Sequence, residues 1–389
     1  MKLLAWVPLL IGALASFARA QNIDEQARRI QATVLGIDGH NDTVQHIAYD
    51  KVDIGTCLSD GMIDIPRLQA GGVHAPFFAL WVPTYYKGSE AVRRTLDFRD
   101  AMQTVFDNHP DQIELATSAK DIERIVGQKK IAAVLTIEGG HQIANDLSVL
   151  RMYRRMGILS MTLTHFRNTD WADSSTDKPV HNGLTDFGKE VVREMNRIGM
   201  IVDISHVSDK TFYDALEVTT KPVIASHSSC RAFSDAARNM TDDMLRALAK
   251  NGGVVGVNFS SAFLSQQDAA DLKKKITQEN ALEPVFTGAA LDDYAGKEYH
   301  QDYAKVHVGH ATVDDAAKCV DHIVKVAGID HVGIGSDFDG IPDVPRDLED
   351  VSKMPNLTAA LLRMGYSESD IQKIMGGNFL RVIREVVGQ

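Results

Sequence analysis

The sequence predicts an α/β protein folded as a single (β/α)8, TIM-like barrel, decorated by an insertion between its seventh and eighth strands. Three observations carry that prediction. Eight short apolar runs recur along the 389 residues, continuous rather than alternating, as strands buried on both faces require. Segments with helical spacing lie between them, and strand, helix, strand alternation makes the sheet parallel. Side chains able to bind metal sit at the ends of several runs: His40 and Asp42, Glu138, His206, His227 and Asp337. The strand C-termini form the face on which barrel enzymes place their chemistry.

The chain opens with Met1-Lys2, an apolar stretch from Leu3 to Phe17, and Ala18-Arg19-Ala20. A basic start, an apolar centre and a small-x-small site describe a secretory signal over residues 1–20, removed before Gln21. The stretch is shorter than a membrane-spanning helix requires. An exported protein, periplasmic or secreted, is therefore expected, with no membrane span in the mature chain. The segment Phe379–Gln389 lacks the polar spacer and apolar tail of a lipid-anchor signal.

The expected strands are Val34–Asp38, Val73–Leu80, Ile131–Ile137, Ile158–Thr164, Met200–Ser205, Pro222–Ser226, Gly253–Asn258 and His331–Ser336. Leu184, Phe187, Val191, Met195 and Ile198 share one helical face that stops at Gly199. Thr241 caps a helix carrying Met244, Leu245 and Leu248 that ends at Asn251-Gly252, and Ser367-x-x-Asp370 caps the last helix before a break at Gly376-Gly377. Only about 265–312 falls outside the alternation. It holds Lys273-Lys274-Lys275, His300, His307 and His310 with no strong period, and is expected either to cover the barrel mouth or to form a disordered or oligomer-contacting loop. His307 and His310 are given no metal role.

Removing twenty residues leaves 369 of 389, long for one barrel of about 250 residues, so one decorated domain over 21–389 is expected. No linker or internal repeat divides it. The 41 basic and 52 acidic residues give −11, and losing Lys2 and Arg19 leaves 39 against 52, or −13. That balance argues against nucleic acid as a partner. Cys57, Cys230 and Cys319 are too few for a disulfide framework, and one pair with one odd thiol is the most they allow.

His40 and Asp42, two apart in an extended segment, point the same way and can grip one ion together. Taken singly, each candidate is better explained by a structural hydrogen bond than by metal binding. What separates the set from chance is a shared register at strand ends, which structural roles would not require. Two imidazoles with a carboxylate suit one zinc, an imidazole with two carboxylates suits another, and a glutamate has two oxygens with which to bridge ions roughly 3.5–4 Å apart.

The chain resembles the renal or membrane dipeptidase family of the amidohydrolase superfamily. The likeness runs through Gly39-His-Asn-Asp42, Glu138-Gly-Gly140, Leu163-Thr-His165, Asp203-Ile-Ser-His206-Val-Ser208, Ser226-His227-Ser-Ser229, Ala237-Arg238-Asn239, Gly335-Ser-Asp337-Phe-Asp-Gly340 and Gly376-Gly-Asn-Phe-Leu-Arg381. It implies two Zn2+ per chain, one on His40, Asp42 and Glu138, the other on Glu138, His206 and His227. It further implies that His165 contacts substrate beside the scissile carbonyl, that Arg238 receives the terminal carboxylate, and that Asp337 is the catalytic aspartate. The implied substrate is a dipeptide, with a D-residue accepted at its C-terminal position. Members often form homodimers.

Two zinc ions would lower the pKa of a bridging water near neutrality. The resulting hydroxide would attack the carbonyl while Asp337 shuttles the proton and His165 supports the oxyanion. Two residues depart from better-known animal members: Gln45 stands where they have a tryptophan lining the side-chain pocket, and Phe263 where they have a tyrosine. Competing readings are another amidohydrolase activity, such as β-lactam opening or deacylation of N-acyl amino acids, and a noncatalytic peptide-binding barrel.

Overall fold

A computed structural model describes residues 22–303 and 307–388; the expected signal segment 1–20 lies outside the described residues. The strands that close the barrel are β1 Gly36–Asn41, β2 Val73–Trp81, β3 Ile131–Glu138, β4 Ile158–Thr162, β5 Ile201–Asp203, β6 Ile224–Ser228, β7 Val254–Val257 and β8 Val332–Ile334. Each pairs in parallel with the next, and β8 returns to β1 through Ile334 and Asp38. A short strand, Ile113–Leu115, lies beside β3 outside the ring.

The runs and the strands differ at their ends for identifiable reasons. β1 is displaced from the run Val34–Asp38 because its pairing continues through Asn41 to Phe78 of β2. His40 therefore lies within a strand rather than beyond one, and so does His227 in β6. β5 stops at Asp203 because that carboxylate accepts the backbone N–H of Ser205 at 3.0 Å and draws the chain off the ladder. β8 stops at Ile334, as Asp38 accepts both the N–H (2.7 Å) and hydroxyl (2.5 Å) of Ser336.

The barrel interior is filled by Ile37, Phe77, Val134, Leu159, Ile201, Ile224 and Val254 together with Phe379 of the helix Asn378–Val386. Phe379 enters beside Gly39 and Gly333, where an added Cβ would come within 2.7 and 2.5 Å of its ring. Glycine is required there by close approach. A larger cluster joins the outer strand faces to the helices. Helix Asp186–Ile198 is capped by Thr185, whose side chain accepts from Gly188 N, and ends at Gly199 with φ 68°. Thr241 and Ser367 cap as their sequence patterns require.

The segment 265–312 holds helices Ala269–Asn280 and Ala289–Tyr303 and the strand His307–Thr312, which pairs in parallel with Asp343–Arg346. Tyr85 and Tyr86, just past β2, donate to Glu298 (2.6 Å) and Asp292 (2.9 Å). Asn280 donates to the carbonyls of Phe166 (3.2 Å) and Thr176 (3.1 Å) beyond β4. The weak helical period follows from this placement: the helix Ala269–Asn280 meets side chains of the barrel mouth rather than a continuous core. No helix among the described residues is long and apolar enough to cross a membrane.

Cys230 and Cys319 are buried with their Sγ atoms 3.0 Å apart, whereas Cys57 is exposed. A thiol-reactive probe is expected to label Cys57 alone in the folded protein, read by peptide mass spectrometry. Native-state labelling of either buried cysteine would contradict this packing.

Candidate metal centre

Glu138 ends β3 at the centre of the barrel mouth, 3% exposed. Its two oxygens face different partners. Oε2 lies 3.4 Å from His40 Nε2, and that nitrogen is in turn 3.3 Å from Asp42 Oδ2 and 3.8 Å from Asp337 Oδ1. Oε1 lies 2.9 Å from His206 Nε2, 3.3 Å from His227 Nε2 and 3.8 Å from His165 Nε2. These six residues and Glu138 supply three overlapping groups of ligand atoms close enough to hold an ion: His40, Glu138 and His227; Glu138, His165 and His206; and His40, Asp42 and Asp337. All the ligand candidates named from the sequence are thus brought together. The second group also places His165 within ligand range, beyond the substrate contact expected of it.

The local chain is built to hold these groups. His206 and Asp337 take positive φ values of 69° and 64°, each three residues past the end of its strand, β5 and β8, a sparsely populated conformation for non-glycine residues that concentrates at functional sites. Asp203 accepts from Thr162 Oγ1 (2.9 Å), Ser226 N (3.0 Å) and Ser226 Oγ (2.5 Å), clamping β4, β5 and β6 together. Because Ser226 donates to Asp203, its oxygen accepts from His227 Nδ1 at 2.8 Å. That bond sets the tautomer and leaves a lone pair on His227 Nε2. Asn258 Nδ2 donates to Asp337 Oδ2 at 2.7 Å and orients that carboxylate.

The donor set fits cations. His227 Nε2 lies 2.9 Å from His206 Nε2, and His40 Nδ1, His40 Nε2, Asp42 Oδ1 and His206 Nδ1 are buried without a hydrogen-bond partner. Buried polar atoms normally have one. Burial, then the Arg238 charge, holds His206 well below the usual imidazole pKa; burial, then His40, does the same for His227. Both rings are neutral and able to coordinate. Burial also opposes a charge on His40, yet Glu138 and Asp42 outweigh it and hold its pKa well above the usual value. Burial, with Glu138 adding repulsion, lifts Asp42 to about 6, and burial raises Glu138 and Asp337. Carboxylates crowded in this way favour positive charge between them.

The remaining predicted residues line the same cavity. His165 stacks near His206, ring centroids 4.4 Å apart, and burial followed by the Arg238 charge holds it well below the usual imidazole pKa. Arg238 is 4% exposed; its Nη2 donates to His227 O at 3.0 Å, its Nη1 reaches Ser228 Oγ at 3.4 Å, and its Nε has no partner. Burial lowers its pKa to about 10, which leaves it charged at neutral pH. Its guanidinium lies 5.4 Å from the Phe263 ring centroid, within cation–π range.

Leu272 and Lys275 of the 265–312 segment also line the cavity. Asp339 and Asn41 serve the scaffold: Asp339 accepts from Thr43 Oγ1 (2.7 Å) and Met62 N (2.6 Å), and Asn41 donates to Phe77 O (2.8 Å). Trp171 is buried against Gly140 and Gly188 and does not line the cavity. Sequence reasoning missed the clamp at Asp203, the partner Asn258, and Trp81, although Asn258 ends a predicted strand, Trp81 directly follows one, and the strand-end rule would have found both.

The family model described as "Membrane dipeptidase (Peptidase family M19)" matches residues 24–388. The chain is 37% identical over 385 residues to the dipeptidase tcpJ of Claviceps purpurea (strain 20.1), covering 94% of this chain and 81% of that one. Among solved structures it is similar to the probable dipeptidase PvdM from Pseudomonas aeruginosa, with TM-score 0.79 and 26% identity over 94% of this chain and 99% of that one. It also shares its fold with a metallo peptidase from Rhodobacter sphaeroides, solved with a phosphinate mimic of the dipeptide L-Ala-D-Ala. There the TM-score is 0.75 at 23% identity, covering 91% and 99% of the two chains.

Proposed function

Since the chain belongs to the membrane dipeptidase family, peptidase family M19, and is a metal-dependent peptide-bond hydrolase, we propose that it is an exported enzyme that uses two zinc ions to hydrolyse dipeptides with a free C-terminal carboxylate, D-residues at that end included. One observation carries the binuclear part: the two oxygens of Glu138 face separate ligand sets, His40 with Asp42 on one side and His206 with His227 on the other. His40, Asp42 and Glu138 would hold one ion, and Glu138, His206 and His227 the second. When bound, the pair supplies Lewis acidity and a water acidified enough to act near neutral pH.

The protein groups divide the remaining work. Asp337, its Oδ2 held by Asn258, offers Oδ1 to take the proton of the attacking water and return it to the departing amine; burial, by raising its pKa, improves it as a proton carrier. Neutral His165 donates an N–H to the oxygen on which charge develops. Arg238 presents its fork from a dry wall and receives the terminal carboxylate. Phe263, with no hydroxyl to add, packs against that guanidinium. Export rests on Leu3–Phe17 and Ala18-Arg19-Ala20, and acceptance of D-residues on the family resemblance.

A panel of L,L, L,D and D,D dipeptides with zinc-loaded protein, alongside N-acyl amino acids and a β-lactam, tests the reading. Dipeptides should show the highest kcat/KM. Arg238→Met is expected to lower kcat/KM on free dipeptides roughly 10- to 100-fold, the range for a lost charge-assisted hydrogen bond, and to leave C-terminally amidated analogues nearly unaffected. Equal losses on both substrates would remove Arg238 from carboxylate recognition.

A further inference from the structure

Glu138 is the last residue of β3, in register with Trp81 of β2 and Thr162 of β4. Past it the chain turns at Gly139, with φ 107°, into the helical turn Gly140–Ile143. Strand pairing thus holds Glu138 from one side only. On the other side a side chain does so: Gln142, fully buried, donates from Nε2 to Glu138 O at 2.6 Å. The amide has one possible orientation, because a carbonyl only accepts and the reversed amide would set oxygen against oxygen.

The far end of the amide is held as well. Thr95, fully buried in the helix Ser89–Asn108, brings its hydroxyl to 2.6 Å from Gln142 Oε1 and 2.8 Å from Ala91 O. That hydroxyl has a single hydrogen. Ala91 O, inside the helix, is already served by the backbone N–H four residues on, so the hydrogen goes to the amide. Tyr153 of the helix Leu147–Arg155 donates to Gln142 O at 2.8 Å, and Gln142 N donates to Gly139 O at 3.1 Å, which fixes the backbone of Gln142 too. Two helices outside the barrel therefore converge on one residue, and its amide grips the residue whose carboxylate faces His40 on one side and His206 with His227 on the other. A carboxylate with partners on both sides tolerates little rotation of its own backbone.

We infer that Gln142, oriented by Thr95, is a positioning residue that aims the bridging carboxylate of Glu138 at both cations, a role that rests on the binuclear reading above. The test measures zinc affinity by competition with a chelator, independently of turnover, in wild type, Gln142→Met, Thr95→Val and the double variant, with the melting temperatures of the metal-free proteins alongside. Gln142→Met keeps the length of the side chain and loses both amide functions; Thr95→Val keeps the shape and loses only the hydroxyl. Zinc should bind Gln142→Met about 10- to 100-fold more weakly, the range for losing a group that orients a metal ligand, and Thr95→Val with a smaller loss. Adding Thr95→Val to Gln142→Met should cost no further affinity, since the two act through one chain of contacts. A purely structural role would lower the melting temperature and leave zinc affinity unchanged. Wild-type affinity in Gln142→Met or, should that protein not fold, in Thr95→Val would overturn the inference, as would losses that simply multiply in the double variant. If wild type itself takes up no zinc, the binuclear reading fails, an outcome distinct from uptake that the variants leave unchanged.

Discussion

Glu138→Gln is expected to abolish dipeptide hydrolysis, lowering kcat/KM on the order of 10^4-fold, because it removes a ligand from both proposed cations at once. The size of the effect follows from the geometry. Glu138 Oε1 lies within 3.3 Å of both His206 Nε2 and His227 Nε2, while Oε2 lies 3.4 Å from His40 Nε2. An amide of the same shape replaces one oxygen by a donor facing either two imidazole lone pairs or His40. It also removes the negative charge that, with Asp42, makes this spot favour a cation. Metal analysis should show zinc content falling together with activity. A Glu138→Gln protein that keeps half of its zinc and half of its rate would exclude a bridging role.

Asp337→Asn should separate chemistry from metal binding. The substitution keeps the side-chain shape, and asparagine tolerates the left-handed backbone (φ 64°) at this position better than most residues. Its carbonyl can accept the bond from Asn258 that now reaches Asp337 Oδ2 at 2.7 Å. What is lost is a group able to take and return a proton. The expected result is near-native zinc content with kcat reduced about 10^2- to 10^4-fold, the usual contribution of a positioned acid–base group. Loss of zinc in step with activity would instead make Asp337 a ligand, a role its 3.8 Å approach to His40 Nε2 makes a serious alternative.

The barrel was legible because its strands are buried on both faces and are spelled as uninterrupted apolar runs. Their ends were less so. Asp38 and Asp203 are read as ordinary strand residues until their carboxylates are seen capturing the N–H groups of Ser336, Ser205 and Ser226, which shortens β5 and β8 and stitches non-neighbouring sequence together. Of the helices in 265–312, Ala269–Asn280 lines the cavity through Leu272 and Lys275, while Ala289–Tyr303 gives the core only Leu291 and Ala295, so neither spells a continuous apolar stripe.

The side chains that cluster at the barrel mouth could be named from sequence, since a barrel delivers strand-end residues to one face whatever their separation in the chain. The orientation of Glu138 towards two sets and the tautomer imposed on His227 by Ser226 could not. Each depends on side-chain contacts between residues far apart in sequence, and no local pattern encodes them.

The central claim is that Glu138 joins two cations. Anomalous X-ray scattering at the zinc edge, measured on zinc-loaded crystals, tests it most directly. Two peaks per chain are predicted, one beside His40 and Asp42 and one beside His206 and His227, each in contact with an oxygen of Glu138. A single peak, no peak at saturating zinc, or two peaks with Glu138 bound to neither would contradict it.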